Sequence, residues 1–480
     1  MSSDRWTPLP RRRTGSILLK TALAVLLLAV GAGDAPTDPR ATSPWPKPLG
    51  GPDKESATGV AVDDAGNSFV TGVFEGKSAA FDAIHLASSG RTDVFVAKLD
   101  RDAHVLWAVA IGGPGSDEGR AIALSPAGDL YVTGSFSGTV DFDPGPGRTE
   151  LTAGGSSDAF LLRMSAQGEL VWARRLGGKP GARSSAQGLR VAAAADAVWV
   201  TGGFTGSLDT PRLESAGGSD AFVAKFDLDG NLLWARRIGG PKDDEGRGLA
   251  AGRNGEVWVA GNFEETPSIG PEGGALDMRS AGRADVFLLR LDASGRLLGS
   301  GRIGGEGVDT CEGLAATGSG GAVIIGTFTH TADVDPGPGT LSFASNGATD
   351  AFVVSVDGNG RLLWAHQEGE TGADLGLAVA ADRYGAIYTT GYLERRHGES
   401  LSWVDERSES GKRTWSLGLQ ATGGLQALAI AASPYGTPTV AGFFKGETKE
   451  LREAGAGRVK GFGKTDAFVW RLLPAPQRPR

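Results

Sequence analysis

One octet dominates this chain. DVFVAKLD at 93–100 returns as DAFLLRMS at 158–165, DAFVAKFD at 220–227, DVFLLRLD at 285–292, DAFVVSVD at 350–357 and DAFVWRLL at 466–473. Fourteen residues after the first five of these aspartates stands Trp107, Trp172, Trp234, Gly299 or Trp364, and this unvarying spacing predicts one hairpin geometry used repeatedly. A second block lies ahead of each octet, as FVTGVF at 69–74 or WVTGGF at 199–204, and it occurs seven times. Its glycines, Gly72, Gly134, Gly202, Gly261, Gly326, Gly391 and Gly442, are 51 to 68 residues apart. A period of that length holds about four short strands with their turns.

Within a unit, strand A is short and rich in small residues (GVAV at 59–62, AIAL at 121–124), strand B is the TG block, strand C the octet and strand D the Trp segment. Gly168, Gly230, Gly295 and Gly360 lie four residues before the Trp position, where a hairpin with a bulge asks for positive φ. Strand C is apolar on both faces, as in a sheet covered on both sides. The expected fold is therefore all-β: seven four-stranded antiparallel blades around an axis, a β-propeller.

The chain ends test this reading, because a propeller leaves a vulnerable edge unless its ring closes. Asp466 is followed by too little chain for a strand D, whereas Trp45 with Leu49-Gly50-Gly51 repeats the spacing of Trp107 with Ile111-Gly112-Gly113. Residues 45–51 are thus expected to complete the C-terminal blade. The sixth unit is irregular: only ten residues separate Gly391 from Leu401, which takes the aspartate's place, and Trp403 stands where Phe95 stands in the first unit.

Composition agrees. With 76 glycines and 24 prolines, long helices are disfavoured. One cysteine, Cys311, excludes an intramolecular disulfide framework and a Cys-rich zinc site. The formal charge is −8, and residues 1–32 are basic, so the body is more acidic still. An acidic body excludes phosphate-led binding of nucleic acid. Residues 1–32 combine arginines, the apolar run TALAVLLLAVGA and small residues at Val30 and Ala32, the pattern of a secretory signal peptide. The expected organisation is signal peptide 1–32, linker 33–44, propeller 45–473 and C-terminal tail 474–480, with no membrane span in the mature chain.

The unit GN-x-YVTG-x-F … DAFV-x-K-x-D-x-x-G-x-x-x-WA-x-x-x-GG resembles the bacterial SBBP repeat, named for a seven-bladed β-propeller, over about 45–473. The resemblance implies an exported or cell-surface propeller and supplies no shared catalytic residues.

Two sets of acids are candidate ligands. Glu55, Asp117, Asp244, Asp309 and Asp374 each stand ten residues after the Trp position, before the innermost strand, and could ring one end of the channel. Asp141 and Asp143, with Asp333 and Asp335, belong to two copies of D-x-DPGPG in B–C connections. Carboxylates so repeated could hold a cation, calcium above all. The competing reading is that each accepts backbone N–H groups within its own turn. The same competition applies to the octet aspartates, and the strand D tryptophans read as inter-blade packing ahead of sugar stacking. No GxSxG, HExxH, phosphate loop or dinucleotide fingerprint occurs. The chain is expected to be a monomeric, exported, non-enzymatic scaffold binding a protein or glycan through its long B–C loops. The alternative is an extracellular polysaccharide hydrolase or lyase using carboxylates of that face.

Overall fold

The computed structural model describes residues 45–270, 274–276, 278–395, 400–433, 436–448 and 458–472. The expected signal peptide, linker and C-terminal tail lie outside the described residues.

Seven antiparallel sheets succeed one another along the chain. The first joins Glu55–Val62, Ser68–Phe74, Asp93–Leu99 and Val105–Ile111 in that spatial order, and the next five repeat the arrangement. The seventh takes three strands from the C-terminal part (Leu425–Ala432, Pro438–Phe444, Asp466–Arg471) and its fourth from the other end, Trp45–Leu49. That closing strand runs antiparallel to the last one, pairing Lys47 with Val469 and Leu49 with Ala467. The protein is a seven-bladed β-propeller closed as the repeat spacing predicts, with no α-helix among the described residues.

Local chemistry explains the blade. Strand C is buried almost throughout because a neighbouring blade covers each of its faces. Val94 and Val96 of blade one pack with Ile122, Val132 and Phe160 of blade two, for instance. The C–D turn opens with an acceptor side chain: Asp100 Oδ1 takes the backbone N–H groups of Asp102 at 2.8 Å and His104 at 2.9 Å. It ends at positive φ, +86° at Gly168 and +78° at Gly230, where glycine avoids the Cβ clash. In blade six the strand of Trp403 pairs with that of Gly391 across the shortened connection and, on its other edge, with that of Trp415, so the outer hairpin survives.

The long B–C connections turn out to brace the ring. In blade four Ser268–Gly270 pairs with strand D of blade three, and in blade five Thr331–Asp333 pairs with strand D of blade four. Bridges from Gly50 to Ala80, Gly112 to Asp141 and Gly177 to Thr210 do the same for blades one to three. Much of the variable-loop face is thereby committed to inter-blade pairing.

Candidate functional site

The repeated acids are the first group to place. Asp117 is buried; its Oδ2 accepts the N–H of Gly113 at 2.7 Å and its Oδ1 that of Ser137 at 3.0 Å. It thus ties the turn after one blade's strand D to the end of the next blade's strand B. Asp244 makes the same clamp with Gly240 and Glu264, Asp309 with Gly305 and Thr329, and Asp374 with Glu370 and Glu394. Glu55 accepts from Gly51 at 3.0 Å. None of the five lines the axial cavity.

Each lies near the buried aspartate of an octet, and the glycine that opens the turn after strand D, Gly-Gly in four of the five cases and Gly369-Glu370 beside Asp374, makes the room. A Cβ on Gly239 would stand 2.6 Å from Asp220 Oδ1 and 2.7 Å from Asp244 Oδ2. At the closure, Gly50 leaves the same space for Glu55 and Asp466. Burial, opposed by the backbone donors and reinforced by the neighbouring acid, raises Glu55 and Asp244 to about 7 and Asp309 to about 6. Asp117 and Asp374 are raised for the same reasons.

The DPGPG acids are turn acceptors as well. Asp141 Oδ1 takes the N–H groups of Asp143 and Thr149, and Asp143 Oδ1 that of Gly145. Asp333 and Asp335 repeat this with Asp335, Leu341 and Gly337. Among the described residues no three His, Cys, Asp or Glu side chains gather to hold a metal ion. Cys311 is buried, and desolvation pushes its thiol up to about 12, with Glu312 adding to the shift.

What varies around the ring lies on its axis. In every blade strand A carries a register shift opposite the TG glycine: Ala57 pairs with Gly72 and Gly59 with Thr71, leaving Thr58 unpaired. The equivalent residues are Arg120, Leu189, Arg247, Glu312, Leu377 and Leu428. A β-bulge re-aims the side chain of its extra residue. All seven line one axial cavity of ≈ 240 Å³.

The TG glycine makes this possible, because the bulged strand pushes a carbonyl into the space a Cβ would occupy. The distance would be 2.0 Å at Gly72, 1.8 Å at Gly134 and 1.9 Å at Gly202. Seven glycines thus shape seven bulges, and the bulges present Thr, Arg, Leu, Arg, Glu, Leu and Leu in turn. Sequence reasoning missed these residues. The available signal was a varying residue held between small or buried neighbours, as in Gly119-Arg120-Ala121 or Gly246-Arg247-Gly248.

The lining is charged on one side and apolar on the other. Arg247 pairs with Glu245 at 2.6 Å and Glu312 at 2.7 Å, and Arg120 pairs with Glu118. Gln187 donates to Glu245 at 2.8 Å. Arg190 donates only to backbone carbonyls, those of Leu189 and Glu312, with no carboxylate in ion-pair range among the described residues. Desolvation lowers its pKa, and Arg247 and Arg120 oppose its charge while Glu312 favours it. Leu377 and Leu428 form the opposite wall.

No family model matches the chain. A stretch of 161 residues is 33% identical to the regulatory protein FlaEY of Caulobacter vibrioides, covering 31% of this chain and 16% of that protein. A longer stretch is 22% identical to an uncharacterized WD repeat-containing protein, L264, of Acanthamoeba polyphaga mimivirus, covering 56% of this chain and 24% of that one. The chain therefore matches less than a quarter of the length of either relative. Among solved structures, a puromycin hydrolase aligns over 88% of this chain and 55% of its own at 13% identity and a TM-score of 0.42. A polysaccharide lyase, an ulvan lyase, aligns over 82% and 93% at 10% identity and the same TM-score.

Proposed function

We propose that the protein is an exported, non-catalytic scaffold of the SBBP kind that binds a carboxylate-bearing protein or glycan at the axial cavity. The observation that carries this reading is Arg190. A guanidinium facing a partly desolvated cavity, satisfied only by backbone carbonyls, retains charge that a ligand carboxylate would match through a charge-assisted pair. Leu377 and Leu428 favour a ligand with an apolar part beyond its acid. Export rests on the basic and apolar pattern of residues 1–32.

The non-catalytic reading is supported by where the perturbed carboxyls lie. Glu55, Asp117, Asp244, Asp309 and Asp374 have raised pKa values, as general acids require, yet all are buried, each accepts at least one backbone N–H, and none lines the axial cavity. The test is an array of uronate-containing glycans and acidic peptides beside neutral counterparts, probed with wild type and Arg190→Ala. The reading predicts preference for the acidic members and loss of binding in the variant. Equal binding of neutral members, or turnover of any polysaccharide in a broad panel, overturns it.

A further inference from the structure

Four blades fill the same slot with an indole ring, and blade four leaves it open. Trp107 of blade one lies against Phe69, with ring centroids 6.3 Å apart, and over Gly168 in the next C–D turn, where a Cβ would meet the indole at 3.1 Å. Its Nε1 donates to the carbonyl of Ala166 at 3.2 Å. Trp172 and Trp234 repeat the arrangement with Leu228 and Ala293, each at 2.9 Å, and Trp364 with Glu409 at 2.8 Å. In blade four the position is Gly299. The glycine it would cover, Gly360, has nothing within 4 Å of its Cβ position.

The gap is a cavity of ≈ 120 Å³ whose walls include Trp258, Leu288, Arg290 and Leu298. Trp258 stands where Phe69 stands in blade one, so an aromatic wall is in place. The acceptor is also in place. In the filled slots of blades one to three one carbonyl receives both a strand C cation and the indole, as Leu228 receives Arg163 at 2.6 Å and Trp172. The matching carbonyl, Gly358, receives Arg290 but has no indole donor.

We propose that this slot between blades four and five is a binding site for one indole ring supplied from outside the blade, its N–H donating to the Gly358 carbonyl and its face lying on Gly360. The variant that tests it is Gly299→Trp, which supplies the ring in cis. Titration calorimetry uses two probes, free indole and N-acetyl-tryptophanamide, which separate a small-molecule ligand from a tryptophan side chain. Saturable binding of either probe to wild type, weakened at least about tenfold in Gly299→Trp, together with a higher Tm of that variant, is the expected result. No saturable binding of either probe, or binding that Gly299→Trp leaves unchanged, overturns the proposal. Failure of both Gly299→Trp and Gly299→Phe to fold also overturns it, because the slot then has no room for a ring.

Discussion

The carbonyl oxygen of Glu118 lies 1.8 Å from the point where a Cβ on Gly134 would stand. Glycine is therefore required in strand B by the bulge in strand A, one residue before Arg120 leaves the ladder. Gly134→Ala must straighten the bulge or part the strands, and backbone overpacking of this kind costs about 2–3 kcal/mol. The denaturant midpoint should fall accordingly at unchanged slope. An alanine tolerated without loss would mean that the bulge is not what selects glycine.

Stability should fall as pH rises from about 4 to about 7. The folded chain holds protons on Glu55, Asp244 and Asp309 up to about 7, 7 and 6, more tightly than their ordinary values of 4.5 or 3.8 allow in the unfolded chain. The resulting stabilisation is complete below the unfolded values and lost as pH climbs through the folded ones. Asp82, Asp100 and Asp357, held low, act oppositely: their stabilisation is present above the ordinary value and lost in stronger acid. A Tm maximum is expected at about pH 4–5. A Tm that rises between pH 5 and pH 8 would contradict this account.

Glu55→Gln should raise the Tm at pH 8 and flatten its pH dependence. Glu55 Oε1 and Asp466 Oδ1 are both buried without a hydrogen-bond partner. An amide removes one of two neighbouring negative charges and offers an N–H to the carboxylate that remains. Equal Tm values for the two proteins across this range would show that the pair carries no strain.

Arg190→Met should leave the fold intact or stabilise it, by about 1 kcal/mol, because replacing a desolvated charge with an apolar side chain of similar length is often favourable. The same variant should lose the acidic ligand. Thermal melts and the binding array read the two effects separately, and a large drop in Tm would show that Arg190 is structural.

A chelator should leave the thermal transition unmoved. Asp141, Asp143, Asp333 and Asp335 already accept backbone N–H groups, as do Asp117, Asp244, Asp309 and Asp374. A shift of several degrees on adding calcium after chelation would assign these carboxylates to an ion instead.

The blades were legible because their determinants are periodic: the octet, the TG pair, the Trp and the turn glycines recur at spacings that only one hairpin satisfies. The closing strand was legible for the same reason, since Trp45 and Gly50-Gly51 carry the strand D signature at the wrong end of the chain. The axial residues were not. Alternation along strand A assigns Arg120 to a blade face, and only the register against Gly134 reveals that it is an extra residue. The indole slot was half legible. Gly299 was visible as a break in the rule, but the gap depends on Gly360, Gly358 and Trp258, which come together only when blades four and five pack.

The pairing of Trp45–Leu49 with Asp466–Arg471 also sets an order of events. Chains are made from the N-terminus, so Trp45–Leu49 emerges before the six complete blades that separate it from its partner. Six blades can form as they appear, while the seventh waits for residue 471. Any stall short of that point leaves an open arc with two bare strand edges, and closure of the ring thereby requires everything between residues 45 and 471.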